Sequence, residues 1–330
     1  MIGYVIRRVA LALSLVWAVS FFGFVAFALT FDPLWQQRMC GAPCAHQVKV
    51  LTVQYHLNKP VLERYWIWLS DFVGHRFSFR GIGGFPINAQ LLDAAKVTTE
   101  LMACALLVTA IFAVVVGVAS ARRAGRPLDY LLRTLAYMSW SLPAFLVASV
   151  AVRWVVPSVG WFLLGVTAGL PPGAVAQGAP ARAGGFVIWL RGMTLPVLTL
   201  SLGLIGLYSR YVRTALLTEL HRPYAVTARS KGLTETRVAY RHALRNALPP
   251  FVSVLSLEIG AILGASLAID YVFYMGGLAS YFLGGLTQAA DPYVLTAVVI
   301  VASCIVVLFM LVSDLAVGWL DPRTAATASR

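Results

Sequence analysis

Long apolar runs separated by short polar and basic stretches dominate the chain, and neither strand alternation nor a single amphipathic stripe competes with them. A helix crosses the hydrocarbon core with about 20 apolar residues. Six runs meet that length: Val9 to Phe31, Leu101 to Ala121, Thr134 to Val152, Gly192 to Ser209, Leu248 to Ile269 and Tyr293 to Ser313. Pro143 lies inside the third run, Pro196 inside the fourth and Glu258 inside the fifth. The first run is too long for a signal-peptide core and has no small-x-small cleavage site, so it reads as a retained anchor. Residues 154–170 are also apolar but are interrupted by Pro157, Gly160, Gly165 and Gly169. They read as a helix extension with an interfacial loop; a seventh span there would put the termini on opposite sides.

Composition narrows the class. Hydrophobic residues make up 59% of the 330 positions and charged residues 12%, about half the charge of an average soluble domain. A soluble fold, disorder, coiled coil, collagen and a disulfide-stapled secreted domain are thereby excluded, leaving an all-α polytopic membrane protein. The net charge of +13 reads as positive-inside bias, and no nucleic-acid partner is expected. Sixteen of the 26 basic residues fall at Arg7–Arg8, in 122–133, in 210–245 and in the tail, which places both termini and these loops in the cytoplasm. The division that follows is 1–31 for the tail and first helix, 32–96 for an extracytoplasmic region, 97–320 for a five-helix core containing the cytoplasmic loop 210–247, and 321–330 for a cytoplasmic tail.

Within 32–96, Asn58-Lys59-Pro60 marks a helix start, because proline is tolerated in a first turn. Leu62, Tyr65, Trp66, Leu69, Phe72 and Val73 follow at helical spacing, with Glu63, Arg64 and Asp71 opposite. The apolar face predicts a helix lying at the membrane interface or capping the spans, and docking of an outer partner is compatible with either. Cys40 and Cys44 suit a local disulfide outside the cytoplasm. His46 and His56 are too few to make a metal site with them, and none is expected. Cys104 and Cys304 lie inside spans and read as small apolar packing residues.

The stretch Tyr224 to Pro250 reads as two short helices broken at Gly232, a residue that accepts positive φ at no steric cost. Thr234 is placed to cap the second helix, with Glu235 at its positive start. That helix is expected to stop at Leu248-Pro249-Pro250. On charge alone the segment is an ordinary positive-inside loop.

Its residues carry more. Thr227-Ala228-Arg229-Ser230-Lys231-Gly232-Leu233 and His242-Ala243-Leu244-Arg245-Asn246-Ala247 closely resemble the EAA loop of ABC-importer permeases in its oligopeptide/dipeptide form. Val226 in place of the general motif's Glu, and a late Leu248-Pro249, are usual in that branch. Tyr4-Val5-Ile6-Arg7-Arg8, Leu57-Asn58-Lys59-Pro60 with Tyr65 and Trp68, Ser141-Leu142-Pro143-Ala144-Phe145, Ala268 to Phe273 with Gly276-Gly277-Leu278, and Leu320-Asp321-Pro322-Arg323 resemble the family's other stretches in the same order. Asp270 stands for its Glu and Gly276 for its Pro. The resemblance spans nearly the whole chain. It implies a permease subunit in a bacterial or archaeal inner membrane, a second homologous permease, two cytoplasmic ATPase subunits or one fused ATPase that bind ATP and Mg, and an extracytoplasmic substrate-binding protein. Tyr224, Ala225, Thr227, Ala228, Arg229, Lys231, Gly232 and Leu233 would form the ATPase-coupling loop.

The chain itself has no phosphate-binding G-x-x-x-x-G-K-[ST], no H-E-x-x-H and no G-x-S-x-G, so no catalytic site and no cofactor are expected in it. Ser141, Pro143, Glu258 and Asp270 are candidates for the pathway or its gating, since polar residues inside a membrane are costly to bury. Glu258 either faces a pore or pairs with a basic residue, Asp270 at a span end is expected to be wet, and Gly260 and Gly264 are expected to pack helices closely. An autonomous secondary transporter would show inverted repeats and intramembrane charge relays, and a membrane enzyme a nucleophile–base or metal constellation; neither is seen. Peptides are the expected cargo, with nickel chelates, haem, glutathione and glycosides as alternatives within the same family.

Overall fold

The computed structural model describes residues 2–74, 89–155, 185–288 and 291–320. Most of the 154–170 stretch lies outside them. The described residues are helical and contain no strand. The helices are α1 (Ile2–Thr30), α2 (Trp35–Met39), α3 (Ala45–Gln54), α4 (Val61–Val73), α5 (Ala89–Arg122), α6 (Pro127–Ser141) and α7 (Ala144–Val150), which runs on as a π-turn to Val155. Then come α8 (Gly185–Leu220), α9 (Pro223–Ser230), α10 (Glu235–Leu257, with a π-helical stretch Val238–Ala243), α11 (Ile259–Phe273), α12 (Leu278–Gln288) and α13 (Pro292–Leu320).

Within the described residues, α1, α5, α8 and α13 each contain a segment long and apolar enough to cross a bilayer, and the bent pairs α6–α7 and α10–α11 each qualify as one broken span. Helices satisfy every backbone polar group internally, which lipid demands. The six segments coincide with the six apolar runs, although the second span's helix reaches back to Ala89, into the region read as outside. α8 is the hub: α5, α6, α7, α10 and α11 lean on it, while α1 and α13 pair at the other side. Contacts are close where glycine removes the side chain. A Cβ on Gly117 of α5 would lie 2.7 Å from Val212 Cβ of α8.

The proline rules apply unevenly. At Pro143 the helix breaks, with Leu142 extended, and the chain turns by 91° between α6 and α7. Pro196 lies within unbroken α8. The expected stop at Leu248-Pro249-Pro250 does not occur: α10 continues through both prolines to Leu257. Proline keeps a helical φ but gives up the bond to the carbonyl four residues earlier and crowds that carbonyl; the helix runs on in spite of both costs. The break falls instead at Glu258, where α10 and α11 meet at 58°.

α4 starts after Pro60, which has extended geometry. Its buried face differs from the one its spacing predicts. Tyr65 and Trp68 are buried against Phe24 of α1, the Tyr65 hydroxyl lies 2.8 Å from Ser20 Oγ, and Arg64 is turned inward over Tyr293. Leu62, Trp66 and Val73 are exposed. Tyr65 and Trp68 therefore clamp α4 to α1 through ring packing, and the polar handle of Tyr65 finds a partner, as a buried phenol requires. Cys40 and Cys44 are joined by a disulfide.

Candidate functional site: the helical loop after the fourth span

The loop is built outward from the end of α8. After Leu220 the chain turns and α9 begins at Pro223, a residue pre-set for a helix's first position. Its end follows the rule for glycine. Gly232 has φ +80°, its N–H donates to the Arg229 carbonyl (2.9 Å), and the Leu233 N–H donates to the Ala228 carbonyl (3.3 Å). This paired closure is the Schellman arrangement, and it needs a left-handed residue where glycine stands. Leu233 then packs partly against the apolar cluster beneath.

Two alanines anchor α9. Ala225 is fully buried and Ala228 nearly so, in a cluster with Val238, Ala239 and Ala243 of α10 and Leu216 and Leu220 of α8. Within the segment read as a coupling loop, Ala225 and Ala228 therefore face inward: their small side chains let α9 lie close on α10 of the same chain. The outward face consists of Val226, Thr227, Ser230 and Lys231, so Val226, set aside as a departure from the general motif, is on the surface with half its side chain exposed.

Polar contacts fix the loop's angle. Arg229 donates from Nε to Glu235 Oε1 (2.7 Å) and from Nη1 to the Leu220 carbonyl (3.0 Å), covering one of the unpaired carbonyls at the end of α8. Tyr224 donates to Glu219 (2.7 Å), and burial, then this bond, push its phenol above its ordinary value. Thr234 has the extended backbone of a cap but makes no side-chain capping bond; Glu235 instead serves Arg229. Arg122 at the end of α5 donates to Thr236 (2.6 Å) and stacks over Tyr240.

About two turns before its end, α8 carries a contact that the sequence alone does not reveal. Arg213 donates to both oxygens of Asp129 (Nε to Oδ1 2.9 Å, Nη2 to Oδ2 2.8 Å), and the Ser120 hydroxyl and the Gly125 N–H complete the carboxylate's shell at 2.5 and 3.0 Å. Asp129 is fully buried. The α5–α6 turn is thus clipped to the shaft that carries α9. One signal was available: Asp129 is the single acidic residue between Glu100 and Glu219, set among Arg122, Arg123, Arg126 and Arg133.

The four residues singled out for a pathway are not brought together. Ser141 is exposed at the end of α6 and donates to the Met138 carbonyl. Pro143 makes the adjacent corner. Glu258 is exposed at the α10–α11 corner, and a Cβ added at Gly260 or Gly264 would meet nothing within 4 Å. The expectation that these glycines pack helices is not met within this chain. Asp270 is fully buried rather than wet. Its carboxylate accepts N–H bonds from Gly277 (2.8 Å), Ala279 (2.9 Å) and Ser280 (3.3 Å) and caps the start of α12. Such a group satisfies the unpaired donors and the positive end of a helix, so Asp270 holds the α11–α12 turn in place. No group of three or more His, Cys, Asp and Glu fit to hold a metal occurs among the described residues.

The described helices form a bundle around one shaft, with a helical loop at the end of that shaft. Residues 113–326 match the family model of the binding-protein-dependent transport system inner membrane component, and residues 1–109 match the N-terminal model of the same membrane components. The chain belongs to this family, in the oligopeptide/dipeptide branch of ABC-importer permeases, and is a multi-pass inner-membrane protein. It is 31% identical over 329 residues to the oligopeptide transport system permease protein OppB of Mycobacterium tuberculosis, covering 97% of this chain and 98% of the relative. It is 29% identical over 278 residues to the dipeptide transport system permease protein DppB of Bacillus subtilis, covering 83% of each, and 26% identical over 327 residues to the oligopeptide permease AppB of the same organism, covering 98% and 99%.

Proposed function

We propose that this chain forms half of a peptide translocation pathway and receives the force of ATP hydrolysis through α9. The second half comes from a homologous permease. Two cytoplasmic ATPase subunits, or one fused ATPase, bind ATP and Mg, and a substrate-binding protein delivers oligopeptides or dipeptides at the outer face. Both termini lie in the cytoplasm, the 32–74 region faces outward, and the chain carries no catalytic group.

The observation that supports this reading most is mechanical. α9 is anchored on its own chain by Ala225 and Ala228, presents Val226, Thr227 and Ser230 outward, and is joined at both ends to spanning helices, α8 before it and α10 after it. A push on the outward face is therefore transmitted to two spans at once, and the corner at Glu258 and the bend at Pro143 are the places where spans can change angle. Rigid-body rocking of this kind gives alternating access.

The test is Val226→Arg, which places a bulky charge on the outward face without touching the buried alanines. In a complex purified with its ATPase, association and cargo-stimulated ATP hydrolysis should fall at least roughly tenfold, as an unpaired charge at a desolvated contact predicts, while the folded permease is recovered in wild-type yield. Wild-type coupling in that variant would refute the assignment of α9.

A further inference from the structure

Beside the Arg213–Asp129 clip lies a cationic cleft with no role in the arrangement described so far. It is an open surface cleft bounded by Val116 and Ser120 of α5, Leu132, Arg133 and Ala136 of α6, and Ser209, Arg210 and Arg213 of α8. Arg213 is engaged by Asp129. Arg210 and Arg133 have no carboxylate partner among the described residues. The Arg210 guanidinium lies 4.5 Å from the Tyr137 ring centre and 4.9 Å from that of Trp140, and its buried Nε has no hydrogen-bond partner among the described residues. The Tyr137 hydroxyl interacts with both the Arg210 and the Arg133 guanidinium groups. Two like charges thus converge on one neutral oxygen. Two ring faces hold Arg210 in a single pose, so little side-chain freedom remains to be lost when an anion arrives.

We infer that this cleft binds the phosphate of an anionic phospholipid from the cytoplasmic leaflet. A phosphate offers oxygens to both guanidinium groups. The level in the membrane selects lipid over another phosphate source. The cleft sits one helical turn from the clip that closes the α5–α6 turn, where Arg122, Arg123 and Arg126 mark the cytoplasmic edge. Basic pockets between spans at that level take anionic headgroups. Tyr137 and Trp140, each about half exposed, have the amphipathic rings found at headgroup depth, and Leu131, Leu135 and Met138 on the same helix are exposed to take acyl chains. A lipid held there would bridge α6 to α8 next to the shaft that carries α9.

The experiment uses the whole transporter in nanodiscs of phosphatidylcholine with increasing phosphatidylglycerol, and native mass spectrometry counts the lipids retained on gentle delipidation. The wild type should retain phosphatidylglycerol over phosphatidylcholine by about thirtyfold, the increment of two guanidinium groups near a membrane surface. Arg133→Gln removes one charge without disturbing the Arg210 stack and should lower the preference about fivefold. Arg133→Gln with Arg210→Gln should abolish it, whereas Arg153→Gln, outside the cleft, should leave it unchanged. Three results would overturn the proposal. One is a wild type without preference, and another is a preference that Arg133→Gln leaves at its wild-type level. The third is displacement of the retained lipid by millimolar inorganic phosphate or by the transported peptide, which would mark a site for a free anion or for cargo.

Discussion

Breaking the Asp129–Arg213 clip should damage this protein more than any exposed charge change, and the geometry says by how much. Asp129 has four donors on its two oxygens and essentially no solvent, while the Arg213 side chain keeps about a fifth of its exposure. Arg213→Gln leaves the carboxylate buried with only Ser120 and Gly125 to answer its charge. Removing one partner of a buried pair costs about 3–5 kcal/mol, and the residual access of Arg213 to solvent argues for the lower end, about 3 kcal/mol. Asp129→Asn keeps one acceptor oxygen but turns an amide N–H₂ toward other donors, while the orphaned guanidinium can shift toward water, so its cost is smaller, about 2 kcal/mol. The pair also predicts a coupling: the double variant Asp129→Asn/Arg213→Gln should be more stable than Arg213→Gln alone, by about 1–2 kcal/mol, because no uncompensated charge remains. Monodispersity of the purified complex after heating, read by size-exclusion chromatography, measures this as an apparent midpoint lowered by roughly 5 °C for Arg213→Gln and partly restored in the double variant. Uptake should fall in parallel, since the α5–α6 turn is no longer fixed to α8. A single variant with wild-type midpoint and uptake, or a double variant worse than the sum of the two, would show that the clip does not join the turn to the shaft.

Gly232→Val places a β-branched residue at φ +80° with open space around it, so its cost is conformational, about 1–2 kcal/mol; Gly232→Asn should be milder, and cargo-stimulated ATP hydrolysis should rank glycine above asparagine above valine. Gly277→Ala would bring a Cβ to 2.7 Å from Thr98 Oγ1 and 2.8 Å from Asp270 Oδ2, displacing the carboxylate from the start of α12; hydrogen exchange across 277–281 should speed up, and unchanged protection there would contradict the capping role. Cys40→Ser with Cys44→Ser opens a short loop, so the stability lost should be at most about 2 kcal/mol and transport should persist; free thiols alkylated in the unreduced wild type would show that the bridge does not form in the membrane-inserted protein.

The spans were legible in the sequence because a bilayer imposes a one-dimensional rule: each crossing needs enough consecutive apolar residues, whatever its neighbours. Gly232 was legible for a similar reason, since a left-handed helix end depends on local backbone sterics, and the family of the chain could be read from motifs strung in order along it. Partnership was not legible. Asp129 meets Arg213 across 84 positions and Leu278 meets Thr98 across 180, and only the packing of helices around α8 decides such meetings. The same packing buries Ala225 and Ala228 in their own chain, leaves Gly260 and Gly264 open, and moves the break in the fifth span from its prolines to Glu258. Helical spacing names the faces a segment has; which of them is covered depends on where the neighbouring helices stand, and that is fixed only when the whole bundle has closed.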